Sequence, residues 1–157
     1  MNFVLDSSFA LTWVFADEAT PETDEALDSL GHGAEAFVPA LWRWEIGNVL
    51  LLSERRKRIT QAESHQHMTL LGTLPIEKDD VSLDEAWTTT YLLARKHNIS
   101  LYDAAYLELA VRRGLPLASI DTDLRKAANA EGVALLPEKL KRARGSQGAP
   151  PGTPLRS

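Results

Sequence analysis

The chain has 157 residues, a net charge of −5 and no cysteine. That length suits one domain with a real core, and 44% hydrophobic with 25% charged residues is the balance of an ordinary globular protein. Disulfides, thiol catalysis and thiolate-held zinc are excluded, and the acidic balance argues against a passive binder that neutralises many phosphates, though not against a local site whose acids hold a cation.

Met1 and Asn2 lead straight into Phe3-Val4-Leu5, without the basic start and long apolar core of a signal peptide. No stretch approaches the ~18–20 apolar residues of a membrane span. A cytoplasmic location is the expectation, with no membrane partner.

Asn2–Leu5 predicts a strand and Ser8–Phe15 a helix. Thr20-Pro21 combines a capping side chain with proline in the first turn, and Gly31 ends the helix they open. Ala36–Val38 predicts a second strand, followed by a long helix from about Ala40 to Arg56. Thr60-x-x-Glu63 is a capping box opening a helix that Gly72 stops. Leu74–Glu77 predicts a third strand. Ser82-x-x-Glu85 is another capping box, with a helix to about His97. Ser100–Arg113 is helical up to Gly114. Leu117–Ile120 predicts a strand, Asp123–Ala130 a helix and Val133–Leu135 a last strand. This β-α alternation predicts an α/β domain, with helices on both faces of a mainly parallel sheet.

That domain is expected to span residues 1–137. Residues 138–157 begin with the basic run Lys139, Lys141, Arg142 and Arg144 and continue rich in Gly, Pro and Ser. They predict a disordered, solvated tail.

Four acids stand out by context. Glu45 has Leu41, Trp42, Val49 and Leu52 at helical spacing, so it lies within an apolar stripe. A carboxylate there needs a salt bridge or a metal. Asp6 follows the first strand, at the carboxyl end where open parallel sheets bind ligands, yet Asp6 or Ser7 could simply cap the next helix. Asp103 shares a face with Tyr106, Leu107 and Ala110, but an acid in a first helical turn is also electrostatically welcome. Asp121 follows a late strand as Asp6 follows the first, flanked by Ser119 and Asp123, and either aspartate could cap the helix beyond. A parallel sheet could bring all four acids to one rim. Two carboxylates ~4 Å apart repel by roughly 4 kcal/mol at an effective dielectric near 20, so such a cluster needs a cation or protonation. Oxygen ligands without sulfur favour Mg²⁺, with Mn²⁺ possible.

Four segments in order resemble the PIN-domain nucleases, especially the VapC-type toxins of toxin–antitoxin pairs. They are Phe3-Val4-Leu5-Asp6-Ser7-Ser8, Pro39 to Asn48 around Glu45, Leu101-Tyr102-Asp103-Ala104-Ala105-Tyr106, and Leu117 to Leu124 around Asp121. The likeness covers residues 1 to about 137. It implies a PIN-like three-layer α/β/α domain with four or five short strands, and Asp6, Glu45, Asp103 and Asp121 as the catalytic, metal-holding quartet. It also implies Ser8 and Ser119 as supporting hydroxyls and Asp123 as an additional acid behind the quartet. The implied activity is Mg²⁺-dependent endonucleolytic cleavage of RNA, in a homodimer inhibited by a cognate antitoxin. In-line attack by a metal-activated water would leave a 5′-phosphate and a 3′-hydroxyl. The alternative is a catalytically inactive scaffold that binds RNA or protein.

Other residues are read more plainly. His65 and His67 diverge on a helix and cannot readily share an ion; His32 and His97 sit near helix ends. Trp42, Trp44, Trp87, Tyr91, Tyr102 and Tyr106 are expected in the core or at interfaces rather than stacked on bases. Trp44 lies off the Glu45 stripe and is the best contact candidate for a second copy or an antitoxin. Arg43, Arg55, Arg56, Lys57 and Arg58 fit either RNA phosphates or a solvated helix end. An aspartyl-nucleophile phosphatase would need an acid where Ser8 stands, and a receiver-type signalling domain would need a lysine after a late strand.

Overall fold

Phe3, Val4 and Leu5 are all buried, the pattern of a strand in the middle of a sheet covered on both faces. They form β1 (Phe3–Leu5) of a computed structural model that describes residues 1–81 and 83–141. Within those residues follow α1 (Ser7–Ala10), α2 (Pro21–Leu30), β2 (Ala36–Val38), α3 (Leu41–Arg55) and α4 (Gln61–Thr73). Then come β3 (Ile76–Lys78), α5 (Leu83–His97), α6 (Leu101–Arg113), β4 (Leu117–Ala118), α7 (Thr122–Ala130) and β5 (Leu135–Leu136).

The sheet has five strands in the order β3-β2-β1-β4-β5, every pair parallel. This is the three-layer, parallel α/β architecture that the sequence predicts. From β1 the chain builds β2 and β3 outward on one side, then returns to lay β4 and β5 on the other. The order therefore reverses between β1 and β4, and such a switch opens a crevice beyond the strands' carboxyl ends. Leu5 is level with Ala118, so Asp6 and Ser119 leave the sheet side by side. Helix α6 packs against β1 and β4 and is itself packed by α5. Asp79, just past edge strand β3, ties that edge to α6 by accepting from Arg112 and Arg113, and Arg112 also holds Glu108.

Caps fix several boundaries as expected. Thr20 and Thr60 each make a reciprocal capping box, with Thr23 and Glu63, and Gly114 ends α6 at a φ of 63°, which glycine adopts without cost. The Ser82 box lies outside the described residues, as does the tail beyond Lys141.

Other boundaries move. The helix expected over Ser8–Phe15 gives way after Ala10 to a 3₁₀ turn at Leu11–Trp13. There Thr12 donates its hydroxyl to the Phe9 carbonyl at 2.7 Å, competing locally with helix continuation. Gly72 does not stop α4, which runs on to Thr73. The third strand shifts to Ile76–Lys78 because Pro75 has no amide for the ladder. The last shifts to Leu135–Leu136, in register with Leu117 and Ala118.

Candidate active site

Asp6 holds the N-cap position of α1, yet its side chain makes no capping bond. Its Oδ2 instead accepts from the Ser8 hydroxyl at 2.5 Å and the Ser119 hydroxyl at 2.7 Å. The residue is 3% exposed. Its carboxyl is raised from 3.8 to about 6, with burial the largest cause, the two hydroxyls pulling down, and the carboxylates of Glu45 and Asp103 pushing up. A buried acid in negative company calls for a proton or a cation.

Glu45 comes from α3, whose buried positions include Trp42, Ile46 and Leu50. The residue is half-buried, within the apolar stripe that the spacing predicts. Its Oε1 accepts from the Tyr106 hydroxyl at 2.5 Å and from the Ser7 hydroxyl at 3.5 Å. Tyr106 is wholly buried. Burial, then the charges of Asp6 and Glu45, hold its phenol well above the usual tyrosine range, so it remains a proton donor. The sequence reading places Tyr106 in the core and misses this hydroxyl. The available signal was its position three residues after Asp103, on the same helical face.

Asp103 is buried in the first turn of α6, where its amide donates to the capping Ser100 hydroxyl at 3.0 Å. Asp121 is half-buried and settles which aspartate caps α7, since its Oδ1 accepts from the Leu124 amide at 2.9 Å. Ser119 links it to Asp6, because the same hydroxyl that donates to Asp6 accepts from the Asp121 amide at 3.1 Å. Ser8 similarly accepts from the Ile120 amide at 3.2 Å. Asp123 is exposed in the first turn of α7.

The chain just past β1 therefore supplies Asp6, α3 Glu45, α6 Asp103 and the N-cap of α7 Asp121. Glu45 and Asp103 both act electrostatically on Asp6. No three Asp, Glu or His side chains among the described residues are gathered closely enough to form a ready-made metal shell. The donor chemistry still fits a hard cation, since the groups meeting here are carboxylates and hydroxyls.

His65 is exposed on α4. Arg58, one of the basic residues after α3, is engaged by Asp17 and Glu18 and stacks 3.9 Å over the Phe15 ring.

Residues 3–130 match the family model described as PIN domain. Ribonuclease VapC3 of Pyrobaculum aerophilum is 26% identical over 124 residues, which are 79% of this chain and 92% of that protein. Among solved structures, PAE2754 from Pyrobaculum aerophilum has a TM-score of 0.65 at 20% identity, covering 87% of this chain and 90% of its own. A chain of VapBC2 from Rickettsia felis, bound to a DNA fragment from their promoter, has a TM-score of 0.63 at 11% identity, covering 86% and 97%. At these identities the two structures share this chain's fold.

Proposed function

Because the chain belongs to the PIN domain family, we propose that it is a divalent-metal-dependent endoribonuclease acting as the toxin of a toxin–antitoxin pair. One observation carries the reading. A buried carboxylate, Asp6, stands at the switch point of a parallel sheet with two further acids acting on it. The relative named a ribonuclease and the likeness in fold to the VapBC2 chain support it.

Asp6, Glu45, Asp103 and Asp121 are the residues that would hold Mg²⁺ or Mn²⁺. A bound cation would offset the repulsion among these carboxylates. When bound, the ion supplies Lewis acidity toward the scissile phosphate and lowers the pKa of the attacking water. Ser8 and Ser119 hold Asp6 so that its negative charge stays at the crevice. A carboxylate of the quartet orients the water or takes its proton, and in-line attack leaves a 5′-phosphate and a 3′-hydroxyl. Asp123 backs Asp121 from the first turn of α7.

The partner side of the proposal rests on exposed apolar surface. Trp44 is 82% exposed beside a groove of about 390 Å³ between α3 and α4, lined among others by Trp42, Met68, Leu71 and Ile76. This is the proposed antitoxin seat. Leu83, Trp87 and Tyr91, exposed at four-residue spacing along α5, are the proposed contact of a homodimer. No helix among the described residues is long and apolar enough to cross a membrane, and action on cytoplasmic RNA completes the reading.

The test is digestion of structured RNAs by the purified chain with Mg²⁺, Mn²⁺ or EDTA. Cleavage with either ion and none in EDTA is expected. Cleavage that persists in EDTA would remove the metal from the reading, and none with either ion would favour an inactive scaffold. Co-expression with the neighbouring upstream reading frame should yield a complex.

A further inference from the structure

Glu45 reaches the crevice on a side chain with three rotatable bonds, from a helix that is not part of the sheet. Something must fix it. Tyr106 enters from the opposite direction, on α6, 61 positions further along the chain. A buried phenol must find an acceptor, and this one ends 2.5 Å from Glu45 Oε1. That is the short range of charge-assisted O–H···O⁻ bonds. Ser7 donates to the same oxygen from α1 at 3.5 Å, a longer and weaker contact.

We propose that Tyr106, seconded by Ser7, is the positioning residue of Glu45: its hydroxyl fixes the rotation of the carboxylate beside Asp6. This deepens the nuclease reading and rests on it. The placement has a second consequence. Tyr106 lies one helical turn beyond Asp103 on the inward face of α6, where both are buried. One helix thus carries one acid and grips another. Donors that orient metal-holding carboxylates are worth roughly 10–100-fold in affinity or activity, which gives the expected scale.

The test compares wild type with Tyr106→Phe, Ser7→Ala and Asp6→Asn, all full-length. Mn²⁺ binding is measured without RNA by calorimetry or electron paramagnetic resonance, kcat and KM on RNA separately, and melting temperature throughout. Tyr106→Phe keeps the ring in the core and removes one oxygen. It should weaken Mn²⁺ binding about tenfold or more and lower kcat comparably, with KM for RNA little changed. Ser7→Ala should give a smaller loss in the same direction. Tyr106→Phe that melts as wild type does and binds Mn²⁺ equally well overturns the proposal and leaves the nuclease reading standing. If Tyr106→Phe does not fold, unchanged Mn²⁺ binding in Ser7→Ala overturns it instead. Wild type that binds no Mn²⁺, indistinguishable from Asp6→Asn, ends both.

Discussion

Ser119 stands between two buried charges of opposite sign, and the molecule treats them differently. On one side its carbonyl accepts from Arg125 Nη1 at 2.9 Å. The same guanidinium reaches the carbonyls of Leu136, Pro137 and Glu138. On the other side the Ser119 hydroxyl donates to Asp6. Arg125 is 7% exposed and Asp6 3%, so both carry the cost of leaving water. For Arg125, burial pulls the guanidinium down from its ordinary value, and a fan of backbone carbonyls offsets that cost while pinning the chain beyond β5. For Asp6 the two hydroxyls fall short of offsetting burial, and the neighbouring charges, Glu45 and Asp103, add to the deficit. A buried charge closed off by backbone is structural. One left in deficit at the switch point of a parallel sheet is what the proposed metal site requires.

Asp6→Asn breaks this contrast most directly. RNA cleavage should vanish, while the metal-free protein becomes more stable near neutral pH because a costly charge is gone. A rising melting temperature with lost activity is the signature, and a falling one would make Asp6 structural like Arg125. Arg125→Met should do the reverse. It orphans the buried carbonyls of Ser119 and Pro137 and should cost about 3 kcal/mol, read as a melting temperature lower by roughly 10 °C.

The pH dependence sharpens the acid side. Asp6 binds its proton more tightly folded, at about 6, than unfolded, at 3.8. Its contribution is therefore fully present below 3.8 and lost as pH rises through about 6, a difference of roughly 3 kcal/mol. Urea unfolding in EDTA from about pH 4 to about pH 7.5 should show wild type losing stability relative to Asp6→Asn over that window, and Mg²⁺ should restore it at the upper end. A flat difference would mean that Asp6 is not in deficit. The smallest effect is expected from Ser8→Ala, which removes one of the two donors. It should cost about 1 kcal/mol and raise the Mg²⁺ concentration needed for cleavage.

Local chemistry explains what was legible in the chain. Thr20 with Pro21, Thr60 with Glu63 and Ser100 announce helix starts because a capping bond spans only three residues. Phe3-Val4-Leu5 reads as a buried strand because nothing in it tolerates water. The shifts at α1 and β3 have local causes too, in Thr12 and Pro75, but these compete with the hydrophobic pattern and only the assembled sheet shows which prevails. Glu45 was conspicuous among apolar neighbours. Asp6 and Asp121 were ambiguous between cap and ligand, and their side chains diverge: Asp121 caps α7, whereas Asp6 does not cap α1.

The alternating elements, their caps and the oddly placed acids belong to the sequence alone, because each follows from side chains a few positions apart. Tertiary structure alone decided that Asp6 and Ser119 leave adjacent strands together, that Tyr106 grips Glu45 and that Arg125 is closed off by carbonyls. Each of the first two joins residues more than sixty positions apart, and Arg125 bonds across a turn and a strand to carbonyls up to 13 positions away. Contacts of that kind exist only once burial of the core has drawn the strands into register.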